Sequence, residues 1–192
     1  MTKSRLEAFS DGVIAIIITI MVLEMKVPPN SPLLSDLKPL IPVFLSYVLS
    51  FIYLATYWNN HHHLLHTISR PTGVIMWANL HLLFWLSLIP FATGWLGQNN
   101  FAQTPSAVYG VVLLCSAFAY WILQKAILNS QGCDSALAKA IGKDFKGNLS
   151  LALYLIAIVS CFFCSWIAQA IYIFVALIWL VPDRRIEQAL QS

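Results

Sequence analysis

The sequence predicts an all-α membrane protein, one domain over residues 1–192 that crosses the bilayer six times. Of the 192 residues, 59% are hydrophobic and 10% are charged, whereas about a quarter of a soluble domain is charged. Residues 71–124 and 147–182 contain no Asp, Glu, Lys or Arg. Because a span needs roughly 20 apolar residues, the first run holds two spans and the second has barely enough residues for two.

Helices are predicted because backbone N–H and C=O groups in lipid must bond within the protein. The apolar runs are continuous and lack the short alternating segments of a membrane β-barrel. Prolines after Val27 end the first helix, and the polar stretch 129–147 separates the fourth span from the fifth. The weakest break, near residues 165–169, is also compatible with one long or re-entrant helix. The predicted spans are residues 7–26, 40–60, 74–96, 106–128, 148–165 and 168–182.

The distribution of Lys and Arg predicts that both termini are cytoplasmic. With six spans, one side of the membrane holds two of these residues, Lys26 and Lys38. The side of the termini holds the other nine: Lys3, Arg5, Arg70, Lys125, Lys139, Lys143, Lys146, Arg184 and Arg185. Cytoplasmic loops are enriched in Lys and Arg. An odd number of spans would weaken this asymmetry, so the count favours six.

The first predicted span carries charged residues at its cytoplasmic end. Arg5 and Asp11 are six positions apart, so they point away from each other on a helix and cannot pair along it. One interpretation is an Arg that extends toward water and an Asp that the helix dipole favours in the first turn. The other is that each group has a functional partner on another element, as is usual for charges near the membrane interior.

One face of the same helix carries Gly12, Ile16, Thr19 or Ile20, and Leu23 at helical spacing. Small residues and Thr at such spacing suit close packing of helices in lipid. The alternative is a pore lining, in which rings of apolar side chains gate a channel by excluding water. Periodicity alone favours packing.

Three motifs carry a family resemblance. In the first span, Arg5 is followed by Phe9, Ser10 and Asp11, and later by Ala15, Thr19, Leu23 and Glu24. The second span ends in residues 57–64, which include one Trp, two Asn and three His, and the third contains Pro90, Phe91 and Thr93. These stretches resemble the R-x-x-x-F-S-D, W-x-N-H-H and L-x-P-F-x-T patterns of the transmembrane protein 175 family. That family includes lysosomal potassium channels and their prokaryotic relatives. Over the last three spans the resemblance rests on length and hydropathy.

The resemblance implies a potassium-preferring cation channel, a homotetramer of six-span subunits in the prokaryotic inner membrane, with a pore lined by the first helix. The family's bottleneck position falls on Ile16 and its hydroxyl position on Thr19, and Ile20 and Leu23 are further pore-facing positions. The motif residues are expected in an interhelical polar network with two partners on the third span. The expected members of that network are Arg5, Phe9, Ser10, Asp11, Trp77 and His81.

Selectivity in such a pore needs a physical account, because the sequence has no TVGYG filter. Carbonyls inside a helix are already bonded and cannot replace the water shell of an ion. Discrimination is therefore expected from a narrow constriction and the Thr19 hydroxyls, and it is expected to be moderate. The permeating partners would be potassium and other monovalent cations.

The histidines His61, His62, His63 and His66 keep rival functions open. His62 and His66 have a spacing that a metal can use, but no Asp or Glu lies between Asp36 and Asp134. A structural or interfacial role is favoured over a pH-sensing role, and a metal site is the least favoured of the three. A membrane enzyme would depend on this cluster, and a secondary transporter would show repeats or broken helices. The sequence carries no catalytic constellation, P-loop or dinucleotide motif. We therefore predict no enzyme activity, no cofactor, no metal site and no nucleic acid partner.

Overall fold

The computed structural model describes residues 2–28, 32–68, 70–131 and 144–180, and the regular elements in these ranges are all helical. The α-helices are α1 (Lys3–Ile20), α2 (Ile41–His66), α3 (Gly73–Ser87), α4 (Ile89–Gln98), α5 (Gln103–Gln131), α6 (Phe145–Ser160) and α7 (Ser165–Leu180). Two 3-10 segments, Met21–Glu24 and Leu34–Leu40, extend α1 and precede α2.

The prediction of six helical spans is confirmed in these ranges. Four segments are long and apolar enough to cross a membrane: Lys3–Glu24, Leu34–His66, Gly73–Gln98 and Gln103–Gln131. The two shorter apolar helices, α6 and α7, each have 16 described residues, or about 24 Å of helix at 1.5 Å per residue. Four residues used in the orientation count, Lys139, Lys143, Arg184 and Arg185, lie outside the described residues, as do residues 181–182 of the last predicted span.

The third span consists of two helices, because α3 ends at Ser87 and α4 begins at Ile89. Pro90 stands in the first turn of α4. A proline has no N–H to continue the hydrogen-bond ladder of the preceding helix, and its ring clashes with the carbonyl four residues earlier. The regular helix is therefore interrupted at Leu88.

The predicted break between the last two spans is present, but it lies before residues 165–169 rather than within them. The turn between α6 and α7 covers residues 161–164, and α7 begins at Ser165. Gln169, at the end of the predicted break, is buried in α7, where its amide donates a hydrogen bond to the hydroxyl of Ser106 on α5 at 2.8 Å. A polar residue with a partner on a neighbouring helix is compatible with the interior of a bundle, so it does not mark a loop.

The bundle is organised around α5, which packs against α3, α4, α6 and α7. The helices α2 and α4 approach very closely. A Cβ atom added to Gly97 would lie 2.6 Å from the Cα atom of Val43, so only a glycine fits. By contrast, α1 packs against α2, α3 and α4 at the edge of the bundle, which leaves one of its faces uncovered.

A buried polar joint connects the central helices. The hydroxyl of Thr93 on α4 lies 2.7 Å from the hydroxyl of Ser50 on α2, which lies 2.9 Å from the phenol oxygen of Tyr109 on α5. Ser46 also approaches the Thr93 carbonyl at 3.2 Å. Pairing of these hydroxyls is necessary because lipid offers no alternative hydrogen bonds. The Pro90 to Thr93 stretch thus interrupts one span and ties it to two others.

Candidate functional site

The helix α1 has one buried face and one uncovered face. Its N-terminus is capped by the Thr2 hydroxyl, which accepts a hydrogen bond from the Arg5 amide at 3.4 Å. The buried face packs against α2, α3 and α4. Its fully buried residues are Leu6, Ser10, Ile14 and Ile17, followed by Met21 in the 3-10 extension.

The residues predicted to line a pore all lie on the uncovered face. The exposed fractions of Ile16, Ile20 and Leu23 are 61%, 41% and 73%, and Thr19 is also exposed. In a membrane such a face meets lipid, another subunit or an aqueous pore. The exposure of these side chains in a single subunit does not distinguish among the three environments. The pore lining therefore stays a prediction.

The hydroxyl of Thr19 is oriented by its own helix. It donates its proton to the carbonyl oxygen of Ile16 at 3.0 Å. The hydroxyl oxygen keeps two lone pairs, and with its proton directed back to the helix it can present them to a cation. A ring of such oxygens would attract cations, and it would have no free proton to offer an anion.

A stripe of small residues runs along the uncovered face beside these side chains. Gly12 and Thr19 were recognised in the sequence as candidate packing residues, whereas the other members were not, although their spacing of three and four residues was available there. No atom lies within 4 Å of a Cβ atom added to Gly12. Small residues allow the backbones of membrane helices to approach closely. The members are Ser4, Ala8, Gly12, Ala15 and Thr19.

The buried face of α1 is held by a chain of polar side chains from three helices. The Ser10 hydroxyl donates to the Leu6 carbonyl at 2.9 Å and accepts from the Asn79 amide at 2.9 Å. The Asn79 oxygen lies 2.6 Å from His61 Nε2. Because the Asn79 nitrogen donates to Ser10, its oxygen is free to accept the Nε2 proton of His61. Ser10, Asn79 and His61 are all buried, so α1 is tied through α3 to α2.

A second connection fixes the motif carboxylate. The indole nitrogen of Trp58 on α2 donates to Asp11 Oδ1 at 3.0 Å. The two remaining motif residues, Arg5 and Phe9, are exposed at the beginning of α1. Of the four motif residues, the structure therefore brings Ser10 and Asp11 into contact with neighbouring helices of the same subunit.

Within one subunit, the two expected partners on the third span lie elsewhere. Trp77 is 75% exposed, and His81 accepts a hydrogen bond from Trp85 of its own helix at 3.0 Å. The residue that reaches α1 is Asn79, halfway between them. Positions two residues away point to a different side of a helix. The sequence did contain signals for this network. They are an Asn in a span without charged residues, and Trp58 and His61 in the motif at the end of α2.

The remaining histidines form ring contacts at the end of α2. The rings of His62 and His66 are 4.4 Å apart and nearly perpendicular. Lys3 of α1 donates to the His66 carbonyl at 2.6 Å and lies 3.9 Å from Glu7, which places a cation at a helix C-terminus, where the dipole favours it. In the part of the chain that the structure describes, no group of three or more His, Cys, Asp or Glu side chains is placed to hold a metal ion.

The C-terminal end of α1 is also held by a contact with a neighbouring helix. Glu24 ends the 3-10 extension of α1, and its Oε2 accepts a hydrogen bond from the Gln98 amide at 3.3 Å. The same oxygen would lie 2.7 Å from a Cβ atom at Gly94. The carboxylate therefore rests against α4, which has a glycine there to make room for it.

Comparison with known proteins identifies the family. Residues 5–90 match the family described as endosomal/lysosomal potassium channel TMEM175. A protein named as a potassium channel in Chryseobacterium sp. (strain P1-3) is 56% identical over 192 residues, covering 100% of both chains. Another, in Chamaesiphon minutus, is 32% identical over 180 residues, or 87% of this chain and 88% of that protein.

A solved structure gives the same assignment over the whole bundle. The crystal structure of a lysosomal potassium-selective channel TMEM175 homologue from Chamaesiphon minutus superposes with a TM-score of 0.81 at 28% identity. The match covers 94% of this chain and 97% of that one, including the last three spans, which carry no family motif. On sequence and on fold, the chain belongs to the TMEM175 family.

Proposed function

We propose that this chain is the subunit of a potassium-preferring cation channel in which copies of α1 surround a central pore. The observation that carries the proposal is the asymmetry of α1. One face is fixed by buried hydrogen bonds to α2 and α3, and the opposite face, with Ile16 and Thr19, is left uncovered by its own subunit. The names of the relatives, potassium channel and potassium-selective channel, support the choice of ion.

The proposed pore is apolar apart from one hydroxyl layer. Rings of Ile16, Ile20 and Leu23 would form a constriction that closes by expelling water. Thr19 oxygens would lie between these rings and offer lone pairs to a partly dehydrated cation. Potassium loses water more readily than sodium because it is larger, so the constriction favours potassium without excluding sodium.

A pore of this kind requires several subunits, since each chain supplies one pore helix. The resemblance to the family implies a homotetramer. The stripe from Ser4 to Thr19 supports this assembly, because its small side chains let neighbouring α1 helices approach around an axis. We place the channel in the prokaryotic inner membrane with both termini in the cytoplasm, the arrangement that the Lys and Arg count favours.

The described geometry favours a channel over the two rival functions. An enzyme would need reactive groups around the histidines, yet His61 is occupied by Asn79 and the rings of His62 and His66 pack on each other. A transporter usually has helices broken at a binding site. The break at Leu88 has a local cause in Pro90, which stands in the first turn of α4.

The test of the function is ion flux through purified protein in liposomes, with valinomycin as the control for intact vesicles. A channel gives potassium flux from the protein alone, without saturation at high potassium. Flux that saturates, or that needs a second ion gradient, would indicate a transporter, and absence of flux would contradict the proposal.

Thr19→Ala should reduce the preference for potassium over sodium by at least about twofold, with a smaller effect on conductance. The reason is that the oxygen layer is lost while the apolar constriction stays. The measurement is the reversal potential under bi-ionic conditions. The matched control is Ser87→Ala, which removes an exposed hydroxyl that bonds to its own helix in the same way at 2.7 Å. An unchanged reversal potential in Thr19→Ala would refute the role of this hydroxyl.

Asn79→Ala should destabilise the protein by about 1–2 kcal/mol, because it leaves Ser10 and His61 buried without their shared partner. It should also lower potassium flux severalfold, since α1 loses its hydrogen bond to α3. Thermal unfolding in detergent and liposome flux are the two measurements. The control is Asn99→Ala, whose exposed amide bonds only to the Trp95 carbonyl of its own helix at 2.9 Å. Wild-type stability and flux in Asn79→Ala would show that the network does not position α1.

A further inference from the structure

A second cleft lies within each subunit on a different face of α2 from the one that holds α1. It opens between α2, α5, α6 and α7 and contains about 540 Å³ of empty space, its open mouth included. Aromatic rings dominate its walls. They belong to Tyr53, Tyr57, Tyr120, Trp121, Tyr154 and Trp179.

The cleft also contains a negatively charged side chain. Among the described residues that line it, Asp144 is the only charged one, and Thr56, Asn60 and Ser150 supply the other polar side chains. The faces of aromatic rings attract cations, most strongly for Trp. A carboxylate beside such rings adds electrostatic attraction for the same cation. This chemistry favours a positively charged guest with an apolar surface.

The walls are held in place by hydrogen bonds at the edges of the rings. The indole nitrogen of Trp179 donates to the Ser150 hydroxyl at 2.9 Å, and the Tyr120 phenol donates to the Asn60 carbonyl at 3.3 Å. Asp144 caps α6, with its Oδ1 accepting from the Gly147 amide at 2.9 Å. The polar atoms of the Trp179 and Tyr120 rings are therefore engaged with the protein, while a guest would meet ring surfaces and one fixed carboxylate.

The rim adds a second charge of opposite sign. Lys125 Nζ lies 5.9 Å from the centre of the Trp121 ring, one turn further along α5. A guest that is only cationic would be repelled weakly by this Lys. A zwitterionic guest, with an ammonium group among the rings and an anionic group toward Lys125, would match both charges.

We propose that this cleft binds an ammonium or alkylated ammonium group carried on a larger molecule. The source is either a membrane lipid with an ammonium headgroup or a soluble choline-like amine. The cleft is distinct from the proposed pore, and binding is expected whether or not the protein conducts potassium.

The test measures binding to the full-length protein purified in maltoside detergent. Choline represents the soluble source, and 3,3-dimethylbutan-1-ol is its uncharged isostere. For the lipid source, the protein is placed in nanodiscs of phosphatidylglycerol with or without phosphatidylethanolamine, and retained lipid is counted by native mass spectrometry. Calorimetry or ligand-observed NMR gives the affinity for the soluble pair.

Two variants remove the proposed recognition without removing the fold. Asp144→Asn deletes the charge but keeps a residue that caps helices equally well. Trp121→Leu removes a ring at the mouth. Each should weaken ammonium binding by roughly tenfold. Trp166→Leu is the matched control, because Trp166 is exposed on α7, away from the cleft, and contacts Phe101. It should bind as the wild type does.

The outcomes separate the sources and decide the proposal. Choline binding that exceeds binding of the isostere and falls in Asp144→Asn would support a soluble amine. Selective retention of phosphatidylethanolamine, lost in the same variant, would support a lipid headgroup. Equal binding of choline and its isostere, indifference to Asp144→Asn, or no binding in either arm would overturn the proposal.

Discussion

The need to pair every polar group inside a lipid-embedded bundle is the constraint on which the rest of this structure depends. Ser10, Asn79 and His61 are buried at the junction of α1, α2 and α3. Asn79 makes a hydrogen bond to each of the other two side chains. Because no water competes at this depth, these bonds have defined partners and set the rotation of α1 about its axis. Trp58 and Asp11 add a second connection to α2.

The rotation of α1 decides what its other side can do. With Ser10 and Ile17 directed inward, Ile16 and Thr19 are directed away from the bundle. The proposed pore follows from this placement and from the hydroxyl of Thr19, whose proton is held by its own helix. At the far end, Glu24 rests on α4 beside Gln98, so the helix is anchored at both ends of the span.

Much of the fold was predictable, because hydropathy over a long apolar run reports a span directly. The sequence predicted six spans and the family, and it identified the face of α1 that the subunit leaves uncovered. The sequence was less informative where a polar residue has a partner distant along the chain. The last break was placed a few residues too late, and the contact of Asn79 with Ser10 was not foreseen, while the roles expected of Trp77 and His81 stay predictions. The cleft beside α2 was not predictable, since its rings come from four helices that meet only in the folded protein.

The central claim is that the uncovered face of α1 lines an aqueous pore, and cysteine accessibility tests it most directly. In a background without the four native cysteines, Ile20→Cys is compared with Leu45→Cys, an exposed position near the adjacent end of α2. A charged, membrane-impermeant thiol reagent should modify Ile20→Cys and block potassium flux, and it should leave Leu45→Cys unaffected. If Ile20→Cys proved as unreactive as Leu45→Cys, with flux intact, this face would meet lipid or protein and the account would be contradicted.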